Sequence, residues 1–211
     1  MTDGGRGRLI ALEGIDGCGK STQARLLADR LGALLTFEPG ATALGRSLRS
    51  LLLDRDQPPV AERAEALLMV ADRAQHLAEV VTPALEAGTW VVTDRYSAST
   101  LAYQGYGRGL DASGLHQLVA WATGGTDPDV TVLIDVPVDV AAARRRESHE
   151  DRFEAQGVQF QRRVAEGYQR LVTEATRPWL VVDGTGPVDE VAARVWSGVE
   201  NCLGPEVGSE R

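Results

Sequence analysis

Arg8-Leu9-Ile10-Ala11-Leu12-Glu13 and the run that follows it, Gly14-Ile15-Asp16-Gly17-Cys18-Gly19-Lys20-Ser21, decide how this chain is read. The first run is short, apolar and unbroken, which suits a buried strand. The second fits G-x-x-x-x-G-K-[ST]. Ser21 to Leu31 then reads as a helix, with Ala24, Leu27, Ala28 and Leu31 on one face and Gly32 as its stop. Strand, glycine-rich turn and helix together form a phosphate cradle. The glycines let backbone amides turn toward phosphate oxygens, and the helix start adds free N–H groups and a positive dipole end. Gly14, Asp16, Gly17, Cys18, Gly19, Lys20, Ser21 and Thr22 are the candidate ATP-binding residues. Lys20 would reach the β- and γ-phosphates, and Ser21 would hold Mg²⁺. Lys20 is the only lysine among the 22 basic residues, so a lysine-dependent motif uses it or is absent. Cys18 sits among these amides, a setting expected to lower a thiol pKa and to make alkylation sensitive to ATP.

Outward from the cradle, strands and helices alternate. Leu34 to Phe37, Trp90 to Thr93, Val130 to Val136 and Leu180 to Val182 read as further strands. Leu44 to Leu53, Val60 to Ala87 with Pro83 near its end, Ala98 to Tyr106, Asp111 to Thr123, Phe160 to Glu174 and Val188 to Cys202 read as helices. Val138 to Gln156 holds an arginine-rich helix end and a loop, and Leu203 to Arg211 is expected to fray. Apolar strands alternating with helices predict an α/β fold: a P-loop NTPase-type doubly wound sheet of about five parallel strands, helices on both faces, and a short arginine-rich lid at about 144–153. No repeat, linker or low-complexity block divides the 211 residues, so one domain over 1–211 is expected.

Composition narrows the class. Hydrophobic residues make up 43% and charged residues 25%, enough for one ordinary core. No apolar run approaches the roughly 18–20 residues of a membrane span, and Met1 to Arg8 has no signal-peptide core. Two cysteines, Cys18 and Cys202, rule out a disulfide scaffold and suggest a cytoplasmic setting. A net charge of −8 argues against a polymeric nucleic-acid partner. His76, His116 and His149 lack metal-ligand spacing. A Ras-type guanine loop needs a second lysine, and motor ATPases usually need more chain. A small phosphotransferase remains. Asp94 and Asp135 both end apolar strands and are candidate metal-side acids; Arg95-Tyr96 after Asp94 favours Asp94.

Further segments carry a resemblance. Glu13-Gly14-Ile15-Asp16-Gly17 with Gly19-Lys20-Ser21-Thr22-Gln23 resembles the opening of the bacterial thymidylate kinases, a family of P-loop nucleoside monophosphate kinases. Glu38-Pro39-Gly40, Gly45 and Arg49-Ser50-Leu51-Leu52-Leu53 are similar to its second motif, and Ala71-Asp72-Arg73-Ala74-Gln75-His76 to its base-reading helix. Asp94-Arg95-Tyr96 with Ser99-Thr100-Leu101-Ala102-Tyr103-Gln104-Gly105 resembles its signature after the third strand, and Asp151-Arg152-Phe153-Glu154 the end of its lid. The resemblance implies γ-phosphoryl transfer from ATP to dTMP, with Mg²⁺, in a cytoplasmic homodimer. It places Asp16 at the substrate sugar or phosphate, Arg49 and Arg95 at the dTMP phosphate, and Arg73, Thr100 and Gln104 at the base. It sets Tyr103 beside C2′, where a ribose hydroxyl would clash. Lys20, Arg95 and lid arginines among Arg144, Arg145, Arg146 and Arg152 are the implied catalytic cations.

Two positions counted among the candidate substrate-binding residues, Phe37 and Met69, depart from the family pattern. Phe37 stands where an arginine usually precedes Glu-Pro-Gly, and Met69 stands where an aromatic ring usually stacks on thymine. Met69 faces either the base or the core. Two further readings stay open beside dTMP kinase: a kinase for another pyrimidine deoxynucleotide, and a nucleotide-binding protein without turnover. A deoxynucleoside kinase would also need a base, and Glu38 is the candidate.

Overall fold

The computed structural model describes residues 5–54, 56–145, 153 and 156–204. Five parallel strands, β1 Leu9–Glu13, β2 Leu34–Phe37, β3 Val91–Asp94, β4 Val130–Asp135 and β5 Trp179–Asp183, form one sheet in the order β2-β3-β1-β4-β5. In register, Leu12 lies against Asp94 on one side and Val132 on the other. The helices are α1 Lys20–Leu31, α2 Ala43–Leu53, α3 Glu62–His76, α4 Thr82–Glu86, α5 Ser97–Thr100, α6 Ala112–Thr123, α7 Val138–Arg145, α8 Val158–Glu174 and α9 Val188–Leu203. Among the described residues, no helix is long and apolar enough to cross a membrane.

Alternating strand side chains serve two cores. Ile10, Leu12 and Val92 join Ala24, Leu27 and Ala28 of α1 and Val191, Val195 and Val199 of α9. Leu9, Ala11 and Val91 join Leu77, Val81 and Leu85 on the other side. Every residue of β1 is buried, which is why the strand reads as a continuous apolar run rather than an alternating one.

The expected helix over Val60 to Ala87 and the one over Ala98 to Tyr106 are both interrupted by wider π turns, at Leu77–Val81 and Leu101–Gly107. The first lies just before Pro83, which has no N–H for the regular ladder. Two helix side chains lie off the packed faces. Trp121 is 81% exposed, because the buried stripe of α6 is Leu115, Val119 and Thr123 and Trp121 lies off it. Cys202 is exposed at the end of α9, beyond the buried Val191-Val195-Val199 stripe.

The connection leaving β1 runs toward β2 at one edge, whereas the connection leaving β3 runs toward β4 on the far side of β1. Adjacent strands whose exits diverge open a crevice at their carboxyl ends. Gly14 to Gly19 follows β1 there, and Arg95 follows β3.

Candidate active site

The cradle is built from backbone. Gly17 and Gly19 have φ of +83° and +96°, a region that side-chain-bearing residues rarely adopt. Gly19 caps α1 and no side chain accepts from the first-turn N–H groups, so these remain available to a ligand. A Cβ at Gly17 would sit 2.4 Å from the Ala141 carbonyl oxygen of α7. That close approach brings the α7 arginines onto the loop. Arg144 donates to the carbonyls of Cys18 at 3.2 Å and Gly184 at 2.9 Å, and Arg145 donates to the carbonyl of Asp16. Lys20 is buried, 3.4 Å from the Ile15 carbonyl and 3.7 Å from Asp16.

Beside the cradle a recess of about 660 Å³ is lined by Cys18, Gly19, Thr22, Arg144, Gly186 and Val188. The segment after β5 was not anticipated from sequence. Its signal was present: Asp183-Gly184-Thr185-Gly186-Pro187 is a glycine-rich turn at the carboxyl end of a strand, where ligands gather. Gly14, with φ +145°, packs beneath the loop, where a Cβ would meet the Ile134 carbonyl at 2.7 Å and the Cys18 sulfur at 2.8 Å. Cys18 is corrected. Burial raises its thiol pKa, and the opposing pull of Lys20 does not overcome that, so the thiol is not acidified.

A second cleft, about 260 Å³, opens on the other side of Lys20. Asp16, Lys20, Asp94 and Arg95, with the Ser21 hydroxyl, form its charged end, and Arg49, Met69, Arg73, Thr100, Tyr103 and Gln104 are among the residues lining the rest. Arg95 stands at its centre. Among the described residues it is the only non-glycine with a positive φ, +74°. Such a conformation costs free energy, and persists only when the surroundings enforce it. The enforcement comes from Glu13. This fully buried carboxylate accepts from the backbone N–H of Tyr96 at 2.9 Å and of Ser99 at 3.1 Å, and from the hydroxyls of Ser99 at 2.6 Å and Tyr168 at 2.9 Å. Arg95 then donates to Ser99 Oγ, to the Tyr103 hydroxyl and to the Asp16 carboxylate. Burial would raise the Asp16 pKa, but Arg95 and Lys20 outweigh it and hold the carboxyl below its ordinary range. Burial keeps the Tyr103 phenol protonated, and it donates to Asp16 at 2.8 Å.

Asp94 accepts from the Ser21 hydroxyl through one oxygen, while its other oxygen, Oδ1, is buried without a partner. An orphaned carboxylate oxygen beside a hydroxyl fits a hard cation. Among the described residues no group of three or more His, Cys, Asp or Glu could hold a metal alone, so such a cation would also need phosphate oxygens. Asp135 accepts from Gln169 at 3.0 Å and lines neither cleft.

The base-side wall rests on a buried polar network. Arg73 donates to Glu38 at 2.8 Å, to Thr100 Oγ1 at 2.8 Å and to the Tyr96 carbonyl at 2.8 Å. His76 bridges Glu38 and Thr36. Glu38 is thus fully engaged and is not a free base for a 5′-hydroxyl. Asp72 accepts from the Gly40 N–H at 3.0 Å, and Arg49 donates to the Pro39 carbonyl at 2.7 Å, fixing the turn after β2. Met69 is half-buried; it packs against the main core and also lines the cleft, so it borders both the core and the space for a base. Phe37 is corrected: it lies outside the cleft, 44% exposed, beside Arg49. Arg146 and Arg152, with Glu147 to Asp151 between them, lie outside the described residues.

The chain is similar to known proteins. The family model for thymidylate kinase matches residues 12–195. A thymidylate kinase of Desulfovibrio desulfuricans is 45% identical over 207 residues, covering 92% of this chain and 95% of its own. Another, from Synechococcus sp. strain CC9902, is 48% identical over 198 residues, covering 88% and 93%. A third, from Prochlorococcus marinus strain MIT 9313, is 46% identical over 213 residues, covering 94% and 96%. With the cradle, the crevice between β1 and β3 and the Arg95 cluster all falling within the matched span, the chain belongs to the thymidylate kinase family.

Proposed function

We propose that this chain, a phosphotransferase of the thymidylate kinase family, moves the γ-phosphoryl group of ATP to dTMP with the residues of these two recesses, giving dTDP and ADP. The observation that carries the reading is the meeting of two anion sites at Lys20. The recess of the Gly17–Thr22 loop takes the donor and the Arg95 cleft takes the acceptor. The acceptor oxygen is already ionised at neutral pH, so no base is required; alignment and neutralisation of charge do the work.

Lys20 meets the transferring group from the loop. Arg95 and Arg49 bind the acceptor phosphate, and Asp16 holds Arg95 while facing the sugar. Arg73, Thr100 and Gln104 read the base edge, Met69 covers its face, and Tyr103 closes on C2′. Arg144 and Arg145 stand at the foot of the expected lid and, with Arg146 and Arg152, supply its cations. Ser21 and Asp94 would hold Mg²⁺, which neutralises phosphate charge when bound. We place all of this in one domain acting as a cytoplasmic homodimer. Exposed apolar residues on the adjacent helices α3 and α6, Leu67 and Trp121, support a partner face.

An ADP-release assay across all nucleoside monophosphates, with thymidine included, tests the reading. The expected result is turnover with dTMP well above every other acceptor, and none with thymidine. Equal or greater turnover with another acceptor would overturn the acceptor assignment.

A further inference from the structure

Gln104 is fully buried on the base side of the cleft, and its amide has two chemically opposite ends. Which end faces the substrate is decided one residue further out. Glu65 of α3 is 2% exposed and receives Arg108 through Nε at 3.2 Å and Nη2 at 2.9 Å. A carboxylate facing a guanidinium has only acceptors to offer. Gln104 therefore turns its Nε2 to Glu65, at 3.0 Å. The carbonyl Oε1 is the end left for the cleft.

We propose that Glu65 is a specificity-positioning residue, fixing the Gln104 amide so that an acceptor faces the base. The inference rests on the reading that Gln104 lies at the base edge. Thymine and uracil carry a donor at N3–H; cytosine carries an acceptor at N3. A fixed Oε1 pairs with the first two and opposes the third. Discrimination against cytosine is then set by a residue that never touches the substrate, and discrimination against uracil is not. Among the described residues, Glu65 is the partner seen for the Gln104 side-chain amide.

Glu65→Gln can donate as well as accept, so it frees the Gln104 amide to turn over. The expected result is a fall of about tenfold in the ratio of kcat/KM for dTMP over dCMP, the size of one modest hydrogen-bond term. The dTMP over dUMP ratio stays constant, and kcat for dTMP changes little because the base is remote from the chemistry. Glu65→Asp withdraws the carboxylate by one methylene, and gives the same result if Glu65→Gln does not fold. Arg108→Ala lowers Tm but leaves the ratio intact, because Glu65 still faces Gln104. Retention of the dTMP over dCMP ratio in both Glu65 variants, with loss in Gln104→Ala, would overturn the proposal. So would an equal fall in Arg108→Ala, which would mark general loosening. Retention of the ratio in Gln104→Ala itself would instead remove Gln104 from the base edge.

Discussion

In the function proposed above, the donor recess and the acceptor cleft bind the same kind of group, a nucleotide phosphate, by opposite means. The donor side is contiguous and made of backbone: glycines with positive φ, a bare helix start, and arginines that dock on carbonyls. The acceptor side is made of side chains from β1, α2, α3, and the segment after β3, tied by the buried carboxylates of Glu13, Glu38 and Glu65. One site is therefore nearly independent of the protein's stability, and the other is part of it. The variants below test that contrast.

Arg73→Ala should have the largest effect, and on stability as well as on dTMP. The Arg73 and Glu38 side chains are 3% and 4% exposed. Removing one partner of such a buried pair costs about 3–5 kcal/mol, because the remaining charge stays buried. Thermal unfolding is the measurement, and a Tm close to that of the parent would break the comparison. Lys20→Met comes next and is its mirror image. Its ion-pair partner Asp16, at 3.7 Å, keeps the closer Arg95, so Tm should change little while kcat falls by about 10²–10³. Near-normal turnover in the folded variant would remove the cradle assignment.

Asp72→Asn sharpens the contrast through pH. Burial and the nearby Glu38 push the Asp72 carboxyl from 3.8 up to about 6. Between those values the folded chain keeps a proton that the unfolded chain has lost, so stability falls as pH rises through the window. Above it the charge is a standing cost, on the order of 2–3 kcal/mol. Asparagine still accepts from Gly40 and carries no charge. The variant should lose most of that pH dependence and melt higher at pH 7. A residual slope of the same sign is expected from Glu13, which burial also raises. Identical pH profiles for parent and variant would count against the shift. Met69→Phe is the smallest change. A ring over the base is worth roughly 1–3 kcal/mol in comparable stacking sites, so KM for dTMP should fall with Tm nearly unchanged. A lowered Tm with constant KM would place Met69 in the core.

The same contrast explains what could be read from residues alone. The cradle was legible because its chemistry is local: the run from Glu13 to Ser21 fixes strand, turn and helix within one stretch. The five strands were legible for a related reason, since strands covered on both faces are continuously apolar. Acceptor residues such as Arg73, Arg95 and Tyr103 were reached by resemblance, but their supports were not. Glu13 and Glu65 look like ordinary charges in sequence, and only folding reveals the donors gathered around them. Cys18 misled for an electrostatic reason: amides and Lys20 argue for a thiolate, and burial outweighs both. Phe37 misled because a motif position fixes an alignment, while a side chain of different reach need not enter the same space. The π turns left no periodic trace beyond Pro83.

The π turn at Leu101–Gly107 makes this wall sensitive to chain length rather than to residue type. A π turn carries one residue more per ladder step than an α turn. Thr100, Gln104 and Arg108, each four apart, accordingly stay close to one line and meet Arg73 and Glu65 together. Deleting one residue of Leu101–Ala102 would take up that extra residue, close the stretch as an α turn and set Thr100 and Gln104 three positions apart, altering their spacing against Arg73 and Glu65. Every contacting residue would still be encoded, in order, and the wall would be lost. Among relatives, an insertion or deletion within this helix would therefore be a sharper mark of changed acceptor recognition than any single substitution along it.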